Sequence, residues 1–107
     1  MMTHDPTWQF KAKLHLLPTE QGGRKTAFKA GATLYRPQFY IDSPNVSTSC
    51  FIDRIQGREE MSPGESGDIE ARLLNFELFA NQIRPGTRFE IREGANPVGW
   101  GIIEEVK

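Results

Sequence analysis

Strict alternation of apolar and polar residues near the start of the chain is the feature that most constrains the fold. Every second position is apolar and those between are polar, with Trp8, Phe10, Ala12, Leu14 and Leu16 set against Gln9, Lys11, Lys13 and His15. A period of two is typical of a β-strand that buries one face and exposes the other. The sequence therefore predicts a half-buried strand here, with its basic residues on the outer face.

Further segments with strand character follow, and residues typical of turns separate them. The strand candidates are "LYRPQFYI", "CFIDRI", "RFEIRE" and "VGWGIIEEV", and the predicted turns or loops include "PTEQGGR", "DSPNVSTS", "QGREEMSPGESG" and "GANP". Pro37 lacks a ladder donor, which predicts an edge position or an outward-facing site in its strand. In the last strand Val98, Trp100 and Ile102 are in phase, while Gly99 and Gly101 indicate close backbone approach or a tight barrel bend.

Residues 68–79, "DIEARLLNFELF", support two interpretations. The alternation of apolar residues slips by one position between Leu73 and Leu74, as a β-bulge would explain. Ile69, Leu73 and Phe76 are instead spaced as on one face of an amphipathic helix, and the segment is rich in good helix formers. The pattern alone leaves both open.

Size and composition predict one soluble globular domain. The chain has 107 residues, 37% of them hydrophobic, and no apolar run long enough to span a membrane. We expect residues 1–107 to form a single domain, with 1–7 as a flexible N-terminal segment. The N-terminus shows neither the basic nor the apolar part of a secretory signal, and Cys50 is the only cysteine, so a cytoplasmic location is expected.

Two motifs that would bring cofactor chemistry are not formed. A phosphate-binding loop around Lys25 requires glycine at the positions that Arg24 and Thr19 occupy, so no nucleotide site is expected. His4 and His15 are far apart and have no matching cysteine or carboxylate spacing, so we expect no metal. No cofactor is predicted.

The sequence also offers no arrangement typical of catalysis. Its carboxylates are scattered through predicted turns and strand exteriors, and no serine lies in the context of a nucleophile elbow. We therefore predict that the chain is not an enzyme.

Basic charge is concentrated in the first part of the chain, whereas residues 42–107 carry seven basic and twelve acidic side chains. The net charge is −1, yet residues 8–41 carry six basic side chains against Glu20 alone. Lys11, Lys13 and His15 share a strand face, and Arg24, Lys25 and Lys29 follow in the next loop. Such a basic ridge attracts phosphate, whereas the simpler interpretation is a solvated strand face.

The order of several longer segments resembles a known family. "GGRKTAF", "YRPQFYI", "MSPGESGDIEARL" and "GTRFEIREGANPVGWGIIEEV" are similar to successive landmarks of the C-terminal β-barrel, the third domain, of bacterial elongation factor Tu. The resemblance covers roughly residues 10–106. It implies an all-β fold, a small closed antiparallel barrel of about six strands, and a strand after "MSPGESG".

The resemblance implies recognition rather than chemistry. In the full-length factor the nucleotide and magnesium chemistry belongs to the N-terminal domain, whereas the third domain packs on its neighbours, touches the T-arm backbone of tRNA and receives part of the exchange factor. We therefore expect a non-catalytic binding module for a translation-related protein or a structured, tRNA-like RNA. The alternative is a regulator or decoy that competes with the full-length factor for a protein partner.

The sequence departs from the family where RNA contact would be expected. After "RPQFY" the family typically has a basic residue and a threonine-rich turn, "RTTDVTG", but this chain has "IDSPNVST", with Asp42 at the basic position. A carboxylate close to an RNA phosphate costs affinity.

The expected partner-binding residues combine the basic ridge with the family-like strand and its hydroxyls. They are Lys11, Lys13, Arg24, Lys25, Lys29, Arg36, Gln38, Tyr40, Ser43 and Ser47. A structural role for Arg36, pairing with Glu93 or Asp42, is the alternative to ligand binding. Surfaces that neighbouring domains cover in the full-length family are expected to promote a homodimer or a protein complex.

Overall fold

The computed structural model describes residues 8–31, 35–41 and 46–107, and within them the chain is almost entirely β-structure. The strands in chain order are β1 (Phe10–Leu16), β2 (Phe28–Lys29), β3 (Gln38–Ile41), β4 (Val46–Ile55), β5 (Glu60–Met61), β6 (Ser66–Leu73), β7 (Arg88–Glu93) and β8 (Asn96–Val106). Short 3-10 turns cover Thr19–Gln21 and Phe76–Phe79.

Six of these strands close into an antiparallel barrel in the order β1-β6-β4-β3-β7-β8, with β8 pairing back to β1. This confirms the all-β barrel that the sequence predicts. In such a closed sheet each barrel strand has a neighbour on both sides, which leaves no long unpaired edge.

The interior is filled by the alternating apolar residues. Phe10, Ala12, Leu14 and Leu16 of β1 are fully buried, as the alternation predicts. Four phenylalanine rings meet at the centre, with centroids 4.7–6.0 Å apart: Phe10, Phe39, Phe79 and Phe89. Thr48 is the one polar residue buried in the described part of the chain.

Strands β2 and β5 form a separate two-stranded ribbon. Its apolar residues, Phe28 and Met61, belong to the core, while Lys29 and Glu60 of the second cross-strand pair are exposed. The sequence predicts only turns at both places. Two-residue strands are too short to show a period, and they form here because their apolar side chains are buried with the barrel core.

The strand that the resemblance implies after "MSPGESG" is confirmed as β6, but residues 68–79 contain neither one continuous bulged strand nor the helix. Strand β6 ends at Leu73, and a 3-10 turn follows. Phe79 is fully buried against Phe39, whereas Leu74 and Leu78 are 60% and 54% exposed. The slip in the alternation therefore marks the end of β6. After it, Phe79 and Ile83 are buried in the core, whereas Leu74 and Leu78 are exposed.

Two other expectations are corrected at strand ends. Residues 46–49, predicted as loop, belong to β4, which pairs with β3 through Phe39 and Thr48. Pro37 precedes β3, which lies inside the closed barrel rather than at an edge. Its carbonyl accepts a hydrogen bond from the Cys50 amide at 2.8 Å, which continues the β3–β4 pairing by one residue.

The apolar residues Trp100 and Ile102 of β8 do not lie on its inner face, where their alternation predicts them. Gly99, Gly101 and Ile103 are buried, while Trp100 and Ile102 are partly exposed on the outer face. A Cβ at Gly101 would lie 2.5 Å from Cζ of Phe89, and one at Gly99 would lie 2.8 Å from the His15 carbonyl oxygen. The close approach predicted for these glycines is confirmed, and it turns Trp100 outward.

Candidate partner-binding surface

The basic residues of β1 lie on the barrel exterior, where each meets a polar partner. Nζ of Lys13 is 3.1 Å from Asp68, and that of Lys11 is 4.0 Å from Glu105. Nδ1 of His15 lies 2.8 Å from the Ser66 hydroxyl. The side chains of β6 and β8 thus neutralise much of the basic ridge.

A groove of about 440 Å³ runs over the outer face of β1, β6 and β4. Its charged lining is balanced, with Lys11, Lys13 and Arg54 facing Asp68, Glu70 and Glu104. This groove suits a partner of mixed charge better than a polyanion, because like charges on the wall repel phosphate.

Arg24 is part of a clamp rather than an open cationic site. Its guanidinium donates to the Glu93 carboxylate and lies 4.3 Å above the Tyr35 ring, and the Tyr35 hydroxyl donates to the same carboxylate at 2.9 Å. Tyr35 in turn stacks on Phe28 at 4.9 Å. The Arg24 side chain is only 16% exposed, so these contacts fasten the glycine-containing loop to the end of β7.

Lys25 and Lys29 remain exposed beyond this clamp. Lys29 lies on the ribbon and lines a second groove of about 210 Å³ with Arg54, Arg58 and Glu59. The structure therefore places Lys11 and Lys13 on the β1 exterior, Arg24 in the clamp and Lys29 on the ribbon, while Lys25 is exposed beyond the clamp.

The predicted residues of β3 face the outside beside β7. Arg36 is exposed just before the strand, and Glu93, its suggested partner, is engaged by Arg24. The Arg92 guanidinium lies 3.6 Å above the Tyr40 ring, and Gln38 contacts the Ser49 hydroxyl at 3.5 Å. Ser47 is exposed opposite Tyr40 on β4, and Ser43 lies outside the described residues, as do Asp42 and the segment 1–7.

An apolar groove at Trp100 was not found by sequence reasoning. It measures about 240 Å³, and its lining is formed by Lys13, His15, Ser66, Trp100, Ile102 and Glu104. The Arg88 guanidinium lies 4.4 Å from the centroid of the Trp100 ring, and the His15 ring lies 5.6 Å from it. The signal available in the sequence was the pair of glycines around Trp100, which indicates crowding on the inner face.

Two titratable groups have strongly shifted proton affinities for structural reasons. Burial raises the pKa of the Cys50 thiol to about 12, with a smaller contribution from the Asp53 carboxylate. Burial and the adjacent Glu93 carboxylate also raise the pKa of Tyr35. Both groups are therefore protonated at neutral pH, and the thiol lacks the thiolate character that a nucleophile needs.

The described residues lack two features that would point to other functions. They contain no helix long and apolar enough to cross a membrane. They also contain no group of three or more histidine, cysteine, aspartate or glutamate residues placed to hold a metal ion.

A family model decides to which family this closed barrel belongs. The model of the elongation factor Tu C-terminal domain matches residues 3–107. The chain belongs to this family. Members of the elongation factor Tu C-terminal domain family are non-catalytic β-barrels that bind other molecules in translation, which relates this chain to translation and confirms the resemblance seen in its motifs.

Proposed function

We propose that the chain is a non-catalytic binding module that recognises a translation-related macromolecule through the outside of its barrel. The observation that carries this proposal is the filled interior, because aromatic and aliphatic side chains occupy the space that a ligand cavity would need. Three grooves described above are lined by strand exteriors and the ribbon.

A protein partner is favoured over a structured RNA. Lys11, Lys13 and Arg24 each have a carboxylate partner, so binding a phosphate backbone would require breaking or competing with these pairs. Half-exposed leucines support the same choice: Leu74 and Leu78 present apolar surface that a protein, including a second copy of this chain, would cover.

Affinity capture with the tagged full chain, with and without ribonuclease, tests the proposal. We expect a stoichiometric protein, related to translation, that survives ribonuclease and moderate salt. A tRNA-like RNA that is lost steeply as salt rises would instead support the RNA-binding form of the module. Recovery of no specific macromolecule would contradict both.

Charge reversal separates the two forms at the level of residues. If RNA is the partner, a Lys11→Glu and Lys13→Glu double variant should abolish binding, whereas an Arg84→Glu variant should bind nearly as the native protein does, because Arg84 lies outside the basic ridge and outside the grooves described above. A regulator that competes with the full-length factor predicts that the captured protein is displaced by that factor.

A further inference from the structure

The Trp100 groove combines an apolar floor with unpaired charges at its two ends. Trp100, Ile102 and Glu104 follow one another along the outer face of β8, so the surface changes from aromatic to aliphatic to anionic along one strand. At the aromatic end Arg88 of β7 stacks on Trp100. Tryptophan and arginine are the residues that most often dominate binding energy at protein interfaces.

Packing of the core does not explain why tryptophan occupies this position. The inner face of β8 is closed by glycines, because Phe89 and the β1 backbone leave no space for a Cβ at Gly101. Trp100 consequently lies outside the barrel with part of its ring accessible, although an outer strand position would be satisfied by a polar residue. A large apolar side chain held outside a complete core is expected where another molecule covers it.

The charges around the groove determine the chemistry of its occupant. Asp68 and Glu90, two acidic neighbours, are already paired with Lys13 and Arg92 at 3.1 and 2.9 Å. Within the described residues no carboxylate lies within ion-pair distance of Arg88, and no cation lies within that distance of Glu104. Arg88 is not part of the groove lining, but its guanidinium stacks on Trp100 from the β7 side and places a positive charge beside the Trp100 end. Glu104 gives the groove a negative end two residues beyond Ile102.

We propose that this groove binds an extended protein segment that places an apolar side chain against Trp100 and Ile102, a carboxylate on Arg88 and a basic side chain on Glu104. In an extended segment the three side chains stand two residues apart on one face. Trp100 and Ile102 have this spacing along β8, and Glu104 follows at the β-bulge opposite Lys11 and Ala12, where its side chain is exposed. The segment sought thus has the form acid-x-apolar-x-base, read in either chain direction. This inference rests on the proposed function, since it names the kind of partner that the module would take.

Selection from a phage-displayed library of random peptides on the immobilised full chain tests the inference. We expect enrichment of sequences in which an aliphatic or aromatic residue has an acidic residue two positions to one side and a basic residue two positions to the other. Affinities of the enriched peptides are then measured by fluorescence polarisation on the native chain and its variants. Failure to enrich any such pattern would overturn the inference.

Three variants make the assignment residue by residue. Trp100→Ala and Arg88→Glu should each weaken the selected peptides by about tenfold or more. Phe51→Ala is the matched control, because Phe51 is a partly buried aromatic on β4, the strand opposite β8 in the barrel, and it lies under Arg72 as Trp100 lies under Arg88. Peptide affinity should change less than about twofold in this control.

A charge exchange between Arg88 and the peptide tests the groove in a way that does not depend on the folding of the Trp100→Ala variant. A peptide in which the acidic residue is replaced by lysine should regain affinity for the Arg88→Glu chain and lose it for the native chain. Absence of this exchange, or tighter binding of single-stranded oligouridine than of any selected peptide, would overturn the assignment. If a partner captured from extract still binds Trp100→Ala normally, the binding-module function stands and the groove assignment fails.

Discussion

Arg24 joins parts of the chain that are far apart in sequence. Its partner Glu93 is 69 residues away, and both contact Tyr35, so one guanidinium links the glycine-containing loop, the segment before β3 and the end of β7. From the sequence alone, Arg24 and its neighbour Lys25 are both predicted to be exposed cations. The neighbouring residues do not indicate that Glu93, from another strand, pairs with Arg24. The structure separates the two residues by burial.

Replacing each of these neighbours by alanine tests that separation. Arg24→Ala should lower the free energy of unfolding by about 1–2 kcal/mol, because it leaves Glu93 without its charged partner and uncovers the Tyr35 ring. The magnitude is moderate since water partly screens the Glu93 carboxylate, which is 39% exposed. Urea denaturation followed by circular dichroism gives the value.

The adjacent lysine is the control for this experiment. Lys25 is exposed, so Lys25→Ala should change the stability by less than about 0.5 kcal/mol. Equal losses in the two variants would mean that the clamp contributes nothing specific.

At the scale of elements, the sequence correctly predicts the strands that have one buried face and one face exposed to water. The alternation of β1 and of β7 follows from one buried and one solvated face, and both strands lie where the pattern indicates. The ribbon and the first half of β4 were missed because distant partners create them, and a two-residue strand carries no period. The 3-10 turn at Phe76–Phe79 was missed because a helix, a β-bulge and the end of a strand all shift the alternation of apolar residues by one position over a few residues.

The outer face of β8 was also missed, and this concerns the candidate site directly. Two glycines beside alternating apolar residues do not reveal which face is inner, since glycine fits both a crowded interior and an exterior. Which face of β8 is the inner one depends on Phe89 of β7, whose ring fills the space next to Gly101. Trp100 could therefore be assigned to a binding surface only once the neighbouring strand was known.

Adding one methyl group to this strand tests the crowding. Gly101→Ala should destabilise the protein by about 2–3 kcal/mol, because the new Cβ meets the Phe89 ring at 2.5 Å and the Lys13 carbonyl oxygen at 2.8 Å. The backbone oxygen cannot move without disturbing the β1–β8 ladder. Thermal and urea denaturation of the purified variant measure the loss.

Gly67→Ala in β6 is the matched control. Its Cβ would meet the Met61 methyl at 2.9 Å and the Arg58 guanidinium at 3.1 Å, which are the ends of flexible side chains. We expect a cost below about 1 kcal/mol, since these groups can rotate away. If Gly67→Ala were the more damaging change, contact with the backbone would not be what excludes a side chain at Gly101.

At the scale of the whole molecule, barrel closure makes stability a shared property of all strands. The first barrel strand pairs with the last, and a single hydrophobic core extends from the ribbon to the 3-10 turn. A small domain of this kind is expected to unfold in one cooperative transition. Titration of a buried group on any strand therefore appears in the global free energy of unfolding.

Cys50 provides such a group, and it predicts a loss of stability in alkaline solution. Its pKa rises from 9.0 in the unfolded chain to about 12 in the fold, so above pH 9 the unfolded chain loses a proton that the folded protein retains. Unfolding is then favoured as pH rises, with a slope of up to about 1.4 kcal/mol per pH unit, while stability from this source is complete below pH 9. Tyr35 adds to the slope above pH 10.0, because its pKa is also raised.

Urea denaturation of the native chain, Cys50→Ala and Tyr35→Phe at a series of pH values separates the two contributions. Cys50→Ala should lower stability at neutral pH by removing buried volume, yet its curve between pH 9 and 10 should be nearly flat. Tyr35→Phe should retain the native slope in that interval and differ only above it. A slope between pH 9 and 10 that survives the loss of Cys50 would show that a group other than the thiol titrates in this interval.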